Sequence, residues 1–178
     1  MARYLELRRH TDDDHDALSV DGVRQALEIG ARLEGDYEVL ASSGAQRATQ
    51  TLACFLAALG QNVPGGVVVE QGLRSKIEDR WKAAYQEAGA GELHALRSAD
   101  PELVEQESAT LGSALRRILD RLSEGGRALL VGHSPTNEAA VLGLTGEVVP
   151  PMPKGGGVLV IEEQEEEEEV RFRVEPLQ

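Results

Sequence analysis

Short apolar runs of strand length in this chain alternate with longer segments whose apolar residues recur at helical spacing, and few architectures accept that pattern. Tyr4–Leu7 reads as a strand ending near Arg9-His10. Ser19 follows as a helix N-cap, with Val23, Ala26, Leu27, Gly30 and Leu33 along one helical face. Tyr37–Ala41 is the next strand, ended by Ser42-Ser43-Gly44, and a helix from about Ala45 to Leu59 is stopped by Gly60. Pro64-Gly65-Gly66 introduces Val67–Val69 as a third strand. Pro101 opens a long helix carrying Leu111, Leu115, Ile118 and Leu122 and closed by Gly125-Gly126. Arg127–Gly132 holds a buried strand, Ser134 or Thr136 starts another helix, and Val158–Ile161 is the last strand, with Val170–Val174 as its candidate partner in an edge hairpin spanning 158–174.

This alternation predicts an α/β fold: a layered α/β/α domain with a central, mostly parallel sheet and helices on both faces. The 178 residues fit a single domain, 1–178, with no internal repeat or linker. Residues 71–100 are the least regular and read as short helices and loops that cover a site. Ligands of such folds sit beyond the carboxyl ends of the strands. Arg9-His10, Ser42-Ser43 and His133 all follow expected strands directly.

Composition narrows the partners. The formal charge of −13 argues against nucleic acid, which is held mainly by Lys and Arg. It leaves room for a small phosphorylated substrate, because a local cluster of arginines makes a positive pocket even in an acidic protein. Seven of the negative charges fall in Glu162, Glu163 and Glu165–Glu169, read as a solvated, self-repelling turn. The lone Cys54 excludes an internal disulfide and suits a reducing compartment. No apolar run is long enough for a signal peptide or a membrane span, so a cytoplasmic protein is expected.

Four ordered segments carry the chemistry: Leu7-Arg8-Arg9-His10-Thr11; Leu18-Ser19 with Gly22 and Gln25-Ala26; Ser42-Ser43-Gly44-Ala45-Gln46-Arg47-Ala48-Thr49-Gln50-Thr51; and Val131-Gly132-His133-Ser134. Together, with Glu107-Ser108 opening into the long helix, they resemble the histidine phosphatase superfamily, which includes the cofactor-dependent phosphoglycerate mutases, over roughly the first 145 residues. The resemblance implies a phosphoglycerate mutase-like fold and a phosphatase that hydrolyses a phosphate monoester through a phosphohistidine intermediate, with no metal and no other cofactor. A phosphoryl group in transit spreads charge over its oxygens, so positioning and electrostatics dominate catalysis. Arg9 and Arg47 offer forked donors to those oxygens. His133 adds a hydrogen bond and, when protonated, positive charge. His10 attacks phosphorus through one ring nitrogen while the other is held as a donor.

The chain also departs from the family pattern. Thr11 replaces the usual Gly after the nucleophile, and its hydroxyl is a further candidate phosphate contact. Arg8 replaces an apolar residue, and strand alternation puts it on one face with Glu6, which predicts a pair. In the Leu73-Arg74-Ser75 segment, with Trp81 in register, Ser75 stands where the family places its general acid. Glu78 is the first candidate for that role, one helical turn away, with Glu70 and Asp79 nearby and the absence of any protein acid as the other reading. Asp12-Asp13-Asp14 crowds the nucleophile motif and could hold a cation with His15. His15 and His94 read as surface residues, and Cys54 as core. Other readings are a phosphohistidine protein phosphatase, a weak phosphate-binding module and a mutase-type phosphotransferase.

Overall fold

The computed structural model describes residues 1–177. Its elements run β1 (Ala2–Arg9), β2 (Asp13–Asp14), β3 (Ala17–Leu18), α1 (Val20–Arg32), β4 (Val39–Ser42), α2 (Gln46–Leu59), β5 (Val67–Val69), a 3-10 turn (Gln71–Leu73), α3 (Glu78–Ala88), α4 (Leu93–Ala99), α5 (Pro101–Arg121), β6 (Arg127–Gly132), α6 (Thr136–Thr145), β7 (Gly157–Glu163) and β8 (Arg171–Leu177). Six strands form one sheet in the order β5-β4-β6-β1-β7-β8. The first four are mutually parallel, while β7 is antiparallel to both β1 and β8. The expected layered α/β architecture with a mostly parallel sheet is what forms.

Strand alternation sorts the core. Leu129 and Val131 of β6 face α1 and α2, meeting Ala26, Ile29, Ala48, Leu52 and Phe55. Ala128 and Leu130 point the other way, joining Leu5 and Leu7 of β1 against α3 to α6. Leu103, Leu111, Leu115, Ile118 and Leu119 of α5 are fully buried there, and each such side chain is worth roughly 1.5–3 kcal/mol of transfer free energy. Helices α5 and α6 approach until backbone meets backbone: a Cβ on Gly143 would lie 1.7 Å from the Ser108 carbonyl oxygen.

Two details differ from the sequence reading. Ser19 does cap α1, accepting from the Gly22 N–H, but the buried face is Gly22, Ala26, Ile29 and Gly30, and Val23 and Leu27 lie at 38% and 40% exposure. Glycine explains the rotation: a Cβ on Gly22 would lie 1.8 Å from the Asp12 carbonyl oxygen, and one on Gly30 would meet the Phe55 backbone at 2.8 Å. The helix therefore turns its smallest residues, not its most apolar ones, to its neighbours. The second correction concerns the acidic run. Glu162 is buried, because it shares a face of β7 with Val158 and Val160, and Arg116 of α5 donates to its carboxylate there. Glu165–Glu169 are exposed in the turn between β7 and β8.

The Glu6–Arg8 pair forms inside the protein, with Arg8 Nε donating to Glu6 Oε2 at 2.8 Å and the Tyr37 hydroxyl donating to Oε1 at 2.8 Å. Arg8 also donates to the Gly155 carbonyl at 3.0 Å. This buried charge ties β1 to the 150–156 loop that crosses its end. No helix among the described residues is long and apolar enough to cross a membrane.

Candidate active site

The parallel strands β4, β6 and β1 are neighbours, so their carboxyl ends lie side by side and each hands the chain to a candidate residue. The ladder runs one step past the strands: the His10 N–H donates to the Gly132 carbonyl at 3.1 Å, and the Ser43 N–H to the Val131 carbonyl at 3.2 Å. His10, Ser43 and His133 thus line one edge of the sheet. The His10 and His133 rings stand 5.4 Å apart, tilted by 59°.

Hydrogen bonding assigns both imidazoles. His10 Nδ1 lies 2.8 Å from the Thr11 carbonyl oxygen. A carbonyl only accepts, so Nδ1 carries the proton and Nε2 presents a lone pair. Burial lowers the His10 pKa, against the pull of the Thr11 carbonyl and of Asp13, and so favours the neutral, nucleophilic ring. On His133 the pattern is reversed. Arg47 Nη2 donates to Nδ1 at 3.3 Å, which leaves Nε2 as the donor to the Ser43 hydroxyl at 2.7 Å. Burial and the Arg47 charge push its pKa down to about 3. In this arrangement His133 is therefore a neutral hydrogen-bond donor, not the protonated ring that would add positive charge.

The arginines converge on the same place. Arg47, one residue into α2, also donates to Asp16 at 2.8 Å, so its guanidinium bridges the β2–β3 loop and His133. Arg9 donates to the Met152 carbonyl at 3.1 Å, while its buried Nε has no partner among the described residues. Both guanidinium charges act on His10. Thr11 is completely buried, and its hydroxyl donates to the Gly22 carbonyl at 2.8 Å, locking the nucleophile loop to α1.

Beside this cluster a cavity of about 320 Å³ is walled by Arg47, His133, Ser134 and Pro135 on one side and by Ser75, Glu78, Trp81 and Tyr85 on the other. Segment 71–88 therefore supplies the far wall. Glu78 begins α3 there and accepts from Arg74 Nε at 2.8 Å. Ser75 donates to Glu107 of α5, and the Trp81 indole N–H donates to the same carboxylate oxygen at 3.0 Å, which pins the wall to the core. Asp79 is exposed, and Glu70 accepts from Arg117 at 3.2 Å on another surface.

Two contributors were not singled out from sequence: Asp16 holds Arg47, and Lys154 bonds both Asp12 and Asp13 at 3.0 Å. Ser43, noted for its place after a strand, holds His133. Lys154 answers the crowding of carboxylates beside the nucleophile. Asp14 instead pairs with exposed His15 at 2.8 Å. Among the described residues no group of three or more His, Cys, Asp or Glu side chains is placed to hold a metal ion.

The family model of the histidine phosphatase superfamily (branch 1) matches residues 5–156. No curated protein matches the chain. Among solved structures, a phosphoglycerate mutase from Bacillus anthracis superposes with a TM-score of 0.72 at 17% identity, covering 99% of this chain and 92% of its own. A phosphoserine phosphatase from Entamoeba histolytica, in complex with 3-phosphoglyceric acid, gives 0.67 at 15% identity over 99% and 98%. The protein histidine phosphatase SixA, complexed with tungstate, gives 0.54 at 18% identity over 99% and 97%. At these identities the likeness is one of fold.

Proposed function

The chain belongs to the histidine phosphatase superfamily, and from that premise we propose that it is a phosphatase hydrolysing a phosphate monoester through a phosphohistidine on His10. The observation that carries the reading is the tautomer of His10, whose Nδ1 is held by the Thr11 carbonyl so that Nε2 is the nucleophile. In the first step Nε2 forms a bond to phosphorus as the ester oxygen departs. In the second, water attacks phosphorus, the P–N bond breaks and inorganic phosphate leaves. Arg9 and Arg47 supply donors for the oxygens that gather charge in transit, and His133 supplies another when its Nε2–H exchanges the Ser43 hydroxyl for the bound anion. Arg47 is preorganised by Asp16 and His133, and the free buried Nε of Arg9 suits an anion. The proposal needs no metal: Lys154 pairs with both Asp12 and Asp13 and offsets one of their two charges. It places the protein in the cytoplasm, where the lone Cys54 stays reduced.

Brief incubation with a labelled phosphate ester followed by alkaline quench should leave an acid-labile label on the wild type. His10→Ala should carry no label and have negligible turnover, and a chelator should change nothing. Full activity in His10→Ala would end the proposal.

A second reading, a phosphohistidine protein phosphatase, draws on one observation. Ser75 occupies the place of the expected general acid, and a phosphoramidate needs less help from an acid than an alkyl ester does. Against it, the cavity beside His133 is small and walled by α3, dimensions that suit a small molecule more than a folded protein surface.

A further inference from the structure

Two serine hydroxyls line the cavity, and each is backed by a buried carboxyl group: Ser75 by Glu107 and Ser134 by Glu138. The two pairs differ. Glu107 takes donors from both Ser75 and Trp81 on one oxygen and ties α3 to α5. Glu138 is only 1% exposed, accepts from Ser134 on Oε2, and has no partner for Oε1 among the described residues. A buried carboxylate with an unpaired oxygen is costly, and the group relieves that cost by holding a proton. Ser134 directly follows His133, and the two line the cavity together with Arg47.

We propose that Ser134 and Glu138 together supply the leaving-group proton, for which Ser75 offers no carboxyl group. The inference rests on the phosphatase reading above and assigns the acid within it. With Glu138 protonated on Oε2, the contact between the two side chains runs from the carboxyl to the Ser134 oxygen and frees the serine O–H. As His10 Nε2 bonds to phosphorus and the P–O bond to the leaving group breaks, Ser134 transfers its hydroxyl proton to the departing oxygen and regains one from the Glu138 carboxyl. The products are the free alcohol, an intact serine and a Glu138 carboxylate. In the second step the attacking water gives a proton to Ser134, which returns its own to Glu138 as the P–N bond breaks. The cycle then closes with one water consumed. Ser134 is thus the catalytic residue, and Glu138 acts through it.

The surroundings of Glu138 fit that task. Arg9 at the end of β1 is the charge acting on it, and the Ser134 hydroxyl and the backbone N–H groups of Glu138 and Met152 also favour the carboxylate. Helix α5 packs against α6 through Gly112 beside Gly143, and its Glu107 is directed to Ser75 and Trp81. Burial outweighs all of these and raises the Glu138 pKa to about 7. A raised acid is protonated below that value and loses its proton as pH rises through it. The capacity to protonate an alkoxide should therefore fall as pH passes neutrality. Glu78, on the opposite wall, has its Oε1 engaged by Arg74.

The test compares leaving groups. An alkyl alkoxide needs a proton to depart, and p-nitrophenolate hardly does. Ser134→Ala and Glu138→Gln should each lower kcat for an alkyl phosphate by roughly 100-fold or more, with p-nitrophenyl phosphate changed only a few-fold. Glu138→Gln should also abolish the fall in alkyl-phosphatase kcat above neutral pH, and Glu138→Asp should restore part of both rate and limb. Equal loss on the two substrates would mean that Glu138 merely holds Arg9 and would overturn the proposal. So would an unchanged substrate ratio, a persisting limb in Glu138→Gln, or the selective loss appearing in Glu78→Gln instead. Should Glu138→Gln not fold, Ser134→Ala decides by the same ratio and limb. Failure of the phosphatase reading looks different: the wild type would then turn over neither ester and take no label on His10.

Discussion

At the scale of single residues, the proposed phosphate pocket rests on donors that their neighbours hold in place. Arg47 is fixed at both ends, by Asp16 and by His133. Losing one preorganised donor to a developing charge costs roughly 3 kcal/mol, so Arg47→Ala should lower kcat about 100-fold. It should also weaken inhibition by inorganic phosphate, and equal phosphate affinity in the two proteins would place Arg47 outside the site. Asp16→Ala should cost far less, because the His133 contact still orients the guanidinium. Arg9, His10, Arg47 and His133 were legible in the sequence because each follows a strand end or opens a helix in a short, recognisable motif. Lys154 was not. It lies 142 positions from Asp12, and no local pattern announces a partner that only the crossing of the 150–156 loop brings near. Ser134 and Glu138 stand four apart in sequence, but what sets them apart is burial and an unpaired oxygen, which spacing alone does not reveal.

At the scale of elements, the strands and helices were readable from their periodicity, while the orientation of α1 was not. Apolar spacing favoured Val23 and Leu27, yet close approach to Asp12 and Phe55 rewarded Gly22 and Gly30. Glu162 failed the same way: a run of glutamates reads as solvent-facing until β7 alternation turns one of them onto Arg116. Helix α3 shows what such a buried carboxyl does for an element. Glu107 accepts from Ser75 and from Trp81, so it is the polar tie that holds the far wall of the cavity to α5. Glu107→Leu would leave both donors buried and unpaired, at about 1–3 kcal/mol each. For a chain of this length each kcal/mol lowers Tm by about 2–4 °C. The expected result is a Tm reduced by several degrees together with a raised KM for alkyl phosphates. An unchanged Tm would show that the wall is held by its apolar contacts alone.

At the scale of the molecule, the proposed activity asks an acidic protein to admit an anionic substrate, and the placement of charge decides whether that costs anything. The register pairs Arg8 with Gly157 and Ala2 with Glu163, so the site lies at one end of β1 and the Glu165–Glu169 turn beyond the other. Eight residues of strand at about 3.3 Å each separate the two ends by roughly 25 Å. The screening length is about 8 Å at physiological ionic strength and about 30 Å at 0.01 M. The glutamate run should therefore be invisible to the substrate in the first condition and felt in the second. Replacing all five of Glu165–Glu169 by Gln should leave kcat/KM for a phosphate ester the same at physiological salt. At about 0.01 M salt, the variant should exceed the wild type, because part of the repulsion that slows an approaching anion has been removed. The wild type should accordingly gain in kcat/KM as salt rises from the lower to the higher value, and the variant should gain less. A variant that lost activity at physiological salt would show that the turn contacts the site or supports it, contrary to the topology of the sheet.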